Sequence, residues 1–194
     1  MSSLCTRASR FQDGLQTFVA VLYDASGAGI KLEGGRDTTI VNNLIVKCGD
    51  AFYADSRAFE WLKSLGFPNN IPGDSWNLLE KLNQLGYQQE PWLSRYPECA
   101  AIPNDWTTII DPTKTWLFPE GTVISRNLGW SNFRWLEETK DTSTHYKLVT
   151  NNVQDQDPLF TDEASLNLLL KPNSPAFLIP SFEDIPFDEI GIRK

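Results

Sequence analysis

One arrangement of apolar and polar positions recurs along this chain: an aliphatic residue, two variable positions, an asparagine and another aliphatic. It stands as Ile40-Val41-Asn42-Asn43-Leu44, as Ile124-Ser125-Arg126-Asn127-Leu128 and as Val149-Thr150-Asn151-Asn152-Val153. A fainter, longer repeat aligns Val21-Leu22-Tyr23 with Leu44-Ile45-Val46, a separation of one β-solenoid coil. With one residue of slack in the turn, it continues from Gly29-Ile30-Lys31-Leu32-Glu33 to Ala51-Phe52-Tyr53-Ala54-Asp55. In a solenoid, each coil pairs its short strands with the coils above and below, so equivalent side chains stack about 4.8 Å apart. Stacked aliphatics fill the interior. An inward-turned asparagine bonds neighbouring backbone at a bend, where buried polar groups need partners. Asn43, Asn127 and Asn152 fit such a ladder, and the first coil departs from it with Ala20 in the asparagine position.

Past Arg57 the pattern changes. Residues 58–65 read as a short helix stopped by Gly66 and Pro68, and 75–85 as a second, with Asp74 or Ser75 as N-cap and Gly86 beyond its end. Trp76, Leu79 and Leu82, with Leu78 and Leu85, fall along one helical face, and a further helical turn or two follows Pro91. Trp61, Trp76 and Trp92 are expected to fix this insertion to the strands. In the tail, Asp157-Pro158-Leu159-Phe160 is a turn into an aromatic anchor, and residues 166–170 are expected to add a last strand. Phe177, Phe182, Ile185, Phe187 and Ile190 are expected to plug the open end of the stack, whose edges would otherwise be unpaired. The predicted class is all-β: a right-handed parallel β-helix of few coils with a helical insertion and a C-terminal capping segment. Its parts are coils over 1–57, the insertion over 58–119, further coils over 120–170 and the cap over 171–194.

Composition narrows the function. The chain has 194 residues, enough for one domain with a hydrophobic core, and carries a net charge of −8 with no basic cluster. Neither nucleic acid nor an anionic membrane surface is an expected partner. No apolar run reaches the roughly 20 residues that cross a bilayer, and the first residues lack the apolar stretch of a secretory signal. Cys5, Cys48 and Cys99 lie far apart and, with His145 as the sole histidine, make no standard zinc site. Seven tryptophans and eleven phenylalanines are many for this length; such rings fill cores or line surfaces that bind flat apolar faces, sugars included.

Candidate chemistry follows from the coil alignment. With Ile30, Leu32, Phe52 and Ala54 turned inward, Lys31, Glu33, Tyr53 and Asp55 turn outward, so Glu33 stacks on Asp55 and Lys31 on Tyr53. Two carboxylates about 5 Å apart have the spacing of the acid and nucleophile of retaining glycosidases, and their repulsion would raise one pKa. Glu33 and Asp55 are therefore the candidate catalytic pair, and Lys31, Arg36, Tyr53 and Arg57 the candidate substrate-binding residues; a solvated acidic pair offset by its basic neighbours is the structural alternative. In a lyase, Arg36 or Arg57 would steady a uronate carboxylate while Lys31 or Tyr53 took the neighbouring proton. Two carboxylates fall short of the 6–8 oxygens calcium takes, so no metal or other cofactor is predicted. Asp24 and Asp50 read as turn residues and His145 as a surface histidine.

Several stretches together resemble the C-terminal part of right-handed parallel β-helix repeat proteins of the pectate-lyase-like superfamily. They are Gly34-Gly35-Arg36-Asp37 before Ile40, Asp55-Ser56-Arg57 leading to Trp61, Trp92-Leu93-Ser94-Arg95-Tyr96-Pro97-Glu98, Asp157-Pro158-Leu159-Phe160, and the closing Ile185-Pro186-Phe187-Asp188-Glu189-Ile190-Gly191. The superfamily includes polysaccharide lyases and glycoside hydrolases, so the resemblance implies a carbohydrate-active protein, a polysaccharide or oligosaccharide partner, and an extracellular or periplasmic place. It is specific for architecture and not for a reaction. Relatives usually carry more coils ahead of this region. A non-catalytic glycan-binding module and a truncated structural segment, prone to self-association through an open N-terminal coil, are the alternatives.

Overall fold

The computed structural model describes residues 5–12, 15–56, 78–139 and 142–187. These residues are mostly strands in parallel sheets, with few helices. The chain opens with β1 (Cys5–Gln12) and β2 (Leu15–Tyr23), then β3 (Ala28–Glu33), β4 (Thr39–Val41), β5 (Leu44–Val46) and β6 (Asp50–Asp55). After the insertion come β7 (Val123–Ser125), β8 (Leu128–Trp130), β9 (Arg134–Glu138) and β10 (Leu148–Thr150). The tail carries β11 (Phe160–Asp162) and β12 (Asn167–Leu170).

The sheets repeat the same path at successive levels. β4 pairs with β7 and β7 with β10, all parallel, while β5 pairs with β8. β3, β6 and β9 form a second parallel sheet. Val21-Leu22-Tyr23 lies on Leu44-Ile45-Val46, and Ile30 to Glu33 lies on Phe52 to Asp55, in the register the sequence repeat predicts.

The bend between β4 and β5, and its copies below, follows from backbone chemistry. Asn42, Arg126 and Asn151 adopt left-handed φ values of 61°, 58° and 53°, which turns the chain and points the next residue inward. That residue is Asn43, Asn127 or Asn152. The Oδ1 of Asn127 accepts from the backbone N–H (3.1 Å) and the side-chain amide (2.7 Å) of Asn43. Asn152 Oδ1 in turn accepts from Asn127 N (3.0 Å) and Nδ2 (2.9 Å). β2 runs straight past this level: residues 19–20 span what takes 41–43 in the next turn, so it pairs with β4 at its start and β5 at its end. β1 lies antiparallel along the whole of β2. β1 thus extends this sheet at the N-terminal end, while β3 is the edge strand of the second sheet.

Between the two sheets, Leu22, Ile30, Leu32, Ile40, Ile45, Phe52, Ala54 and Ile124 form the inner core. Leu44-Ile45-Val46 is buried on both faces, as a continuous apolar strand should be. Ile45 faces the inner core, whereas Val21, Leu44, Val46 and Leu128 pack with Phe160, Leu168, Ala176, Ile179 and Ile185 of the tail. The tail thus touches three successive levels of the stack and lies along its flank, not across its end. The cap expectation is corrected accordingly. β12 pairs antiparallel with β11 instead of adding a last stacked strand, and Phe177 stays exposed. Ala176 and Ile179 supply the buried contacts, with Ile185, Phe182 and Phe187, while Ile190 lies outside the described residues. Val149, directly below Ile40 and Ile124 in register, is 55% exposed, so the row of inner aliphatics is open at that level.

The described part of the insertion is helical over Leu78–Leu85, Trp92–Arg95, Pro97–Ala100 and Trp106–Ile109. Residues 58–65, the start of 75–85, Trp61 and Trp76 lie outside the described residues. Leu79 is buried, but Leu85 is exposed, and Trp92 packs on Tyr96 at the surface, 5.6 Å between ring centroids, instead of gluing the insertion to the strands. Tyr87 is buried within the insertion itself, its hydroxyl donating to Ile102 O at 2.7 Å.

Candidate functional site

The strand face predicted for chemistry is only partly assembled. Glu33 and Asp55 are direct partners in the β3–β6 ladder, as are Lys31 and Tyr53. Lys31 Nζ lies 5.2 Å from the centre of the Tyr53 ring and 4.0 Å from Glu33 Oε1. The open acidic pair needs correction, because Asp55 is only 7% exposed. Alternation sets the direction of a strand side chain but not what closes over it. Arg36 is committed elsewhere: its Nη1 donates to Thr115 O (2.7 Å) and Phe118 O (3.4 Å), and its guanidinium lies 4.7 Å from the Trp116 ring centre. It holds the 34–38 loop against the segment returning from the insertion. Arg57 lies outside the described residues. Glu137, absent from the sequence reading, continues the Lys31–Tyr53 row into β9.

Three other expectations acquire surroundings. Asp24 is a turn residue with φ 55°. Asp50 begins β6 and pairs with Arg134, Nε to Oδ1 2.7 Å. His145 is half-buried instead of free at the surface: its ring stacks on Phe118 at 4.1 Å, with Nδ1 3.2 Å from Glu120 Oε1. Beside it, burial and the nearby Glu138 carboxylate push the Tyr146 phenol well above its usual range. No group of three or more His, Cys, Asp or Glu is placed to hold a metal ion among the described residues. No described helix is long and apolar enough to cross a membrane.

A surface pocket of about 210 Å³ lies at the turn from β8 to β9, below the equivalent turns after β2 and β5. It is lined by Trp130, Ser131, Asn132, Phe133, Arg134, Trp135, Gln154 and Asp155. Its frame is rigid for definable reasons. Ser131 adopts φ 55°, as Lys47 and Asp24 do one and two levels above. Asn132 clamps the turn to the level above it, accepting from Cys48 N (2.9 Å) and donating to Ile45 O (2.7 Å). Phe133 N and Arg134 N donate to Cys48 O and Gly49 O, both 3.1 Å.

Trp135 is the half-buried wall. Its ring meets Phe52 of the inner core edge-on, with centroids 4.9 Å apart. Gly129 makes room for it, since a Cβ there would lie 2.7 Å from the indole. Phe133 is the exposed wall, 82% accessible. Gln154 and Asp155 close the lower side and have no hydrogen-bond or ionic partner among the described residues. Rings for stacking beside uncommitted amide and carboxylate groups are what a hydroxylated, flat-faced ligand requires. The run Trp130-Ser131-Asn132-Phe133-Arg134-Trp135, three aromatics among polar residues within six positions, is the signal that sequence reasoning missed.

Comparison of the chain with protein-family models, with curated proteins and with solved structures finds no match.

Proposed function

We propose that this chain is a glycan-binding segment of a carbohydrate-active protein built as a right-handed parallel β-helix. The in-register stacking of the two parallel sheets supports that architecture, and the near-universal right-handedness of parallel crossovers supports its hand. The resemblance to the pectate-lyase-like superfamily agrees with both. The observation that carries the functional reading is the pocket between Trp130, Phe133 and Trp135, floored by Gln154 and Asp155. The test is titration of the full chain with a panel of oligosaccharides, read by tryptophan fluorescence and calorimetry. Saturable binding that Phe133→Ala abolishes supports the proposal. Binding unaffected by Phe133→Ala places the glycan elsewhere, and no binding at millimolar concentration refutes it.

A second reading, a glycoside hydrolase or polysaccharide lyase using Glu33 and Asp55, is favoured by one observation: the two are direct ladder partners with Lys31 and Tyr53 beside them. Burial of Asp55 weighs against its reaching a polymer. Turnover that Asp55→Asn abolishes while binding survives would restore this reading.

A further inference from the structure

The charges around the pocket narrow its ligand, and we infer that it takes a neutral pyranose and excludes the corresponding uronic acid. This rests on the glycan-binding reading above. Arg134 is the sole cation among the lining residues. Its Nε donates to Asp50 Oδ1 at 2.7 Å, and one terminal nitrogen donates to Glu137 Oε2. The Asp50 hydrogen bond holds the guanidinium firmly in its charged form. A sugar carboxylate is best held by two parallel N–H donors from one guanidinium; here Nε and one terminal nitrogen are already turned to the protein's own carboxylates, which a uronate would have to compete with.

Asp155 then adds a third carboxylate, on the lower wall, with no cation beside it among the described residues. One positive group thus faces three negative ones, and a uronate would bring a fourth negative charge into that field. Like charges at such separations repel, more strongly where rings displace water. A neutral sugar meets no such opposition. Its C–H face can lie on an indole or the Phe133 ring, while Asp155 and Gln154 accept from, or donate to, its hydroxyls. The pocket's volume, about 210 Å³, is below the range of typical drug-sized sites and suits a single ring.

The probes are the methyl glycosides of glucose, galactose and mannose and of their uronic acids, members of each pair differing only at C6. Binding to the full chain is followed by tryptophan indole shifts in NMR spectra at low and moderate salt. The expected result is at least tenfold tighter binding of one or more neutral sugars than of its uronic partner, with the gap narrowing as salt rises. The double variant Glu137→Gln/Asp155→Asn should bind the uronic acid at least tenfold better than the parent chain does. Equal or tighter binding of the uronic acids by the parent overturns the inference and leaves the glycan-binding reading standing. An unchanged preference in the double variant also overturns it. Absence of binding by every probe overturns both.

Discussion

Two turns between the paired strands share one backbone device, a left-handed residue followed by an inward-committed one, and differ in what comes next. At the bend after β4 and β7, left-handed Asn42 and Arg126 aim Asn43 and Asn127 inward, where both are fully buried and bond to each other and to the level below. At the turn after β5 and β8, left-handed Lys47 and Ser131 precede Cys48, which is buried in the inner core, and Asn132, which bonds back to the level above; after Asn132 the chain reaches the exposed Phe133. At the level of β5 that turn is filled by Lys47, Cys48 and Gly49; at the level of β8 it carries Trp130, Phe133 and Trp135. Polar groups at the inner corner satisfy one another, and Asn132 is likewise bonded at the outer one, whereas the side chains of Gln154 and Asp155 beside it have no partner among the described residues. A positive φ makes both corners, and the residue directly after it ties each to its neighbours; the two differ in the residues that follow.

The largest expected effect breaks the inner corner. Asn127→Ala removes an acceptor for two donors of Asn43 and a donor to Ile40 O at 3.1 Å, all buried. With about 1–3 kcal/mol for each buried group left unpaired, a loss of about 3–5 kcal/mol is expected, a large share of a small domain's total. Urea unfolding measures it, and a loss below about 1 kcal/mol would remove the inner corner from the account of stability.

Next comes Gly129→Ala, which drives a methyl into the Trp135 ring. Overpacking costs about 1–3 kcal/mol, and displacing this wall should also weaken sugar binding. If the ring shift in NMR spectra is absent, Gly129 does not seat the indole. Phe133→Ala sharpens the contrast from the other side: as an exposed ring its loss should change stability by less than about 0.5 kcal/mol while removing binding. A large drop in melting temperature would make Phe133 structural.

The smallest effect concerns the strap of the tail. Glu163 Oε1 accepts from Lys47 Nζ at 2.8 Å and from the Tyr23 hydroxyl at 3.1 Å. The Lys47 hydrogen bond chiefly, then that of Tyr23, holds the Glu163 carboxyl below its usual range, and the same pair raises Lys47. A carboxylate lowered on folding stabilises above its unfolded pKa, about 4.3, and that stability is lost as pH falls through the lower folded value. Lys47 contributes below its unfolded pKa, about 10.4, and that contribution is lost as pH rises through the raised folded value. Both groups are about two-fifths exposed or slightly less, so Glu163→Gln should cost below about 1 kcal/mol near neutral pH. It should also flatten the fall in stability below pH 4, read from urea midpoints at several pH values; an unchanged pH profile would exclude the strap.

Much of the stack was legible before any coordinate. The repeated aliphatic–asparagine pattern predicts the pairing of β2 with β5 and of β3 with β6, residue for residue. It also predicts that Asn43, Asn127 and Asn152 share one vertical row. The tail was misjudged for a physical reason. Apolar residues such as Ile185 announce burial, but Leu44-Ile45-Val46, apolar at every position, was the sign that the outer flank also needed cover. Arg36 departs from expectation because its partners come from a chain segment distant in sequence, and Asp55 because strand alternation does not reveal what covers a side chain.

The sequence by itself determined which residues recur at one-coil spacing and which alternate inward and outward, since both follow from local backbone geometry and side-chain polarity. Only the tertiary structure decided that the tail lies along the flank, that Arg36 and Arg134 are already bound, and that Trp130, Phe133 and Trp135 meet Gln154 and Asp155 around one pocket. Those outcomes depend on which distant surfaces meet, and packing between distant surfaces has no period in the chain to betray it.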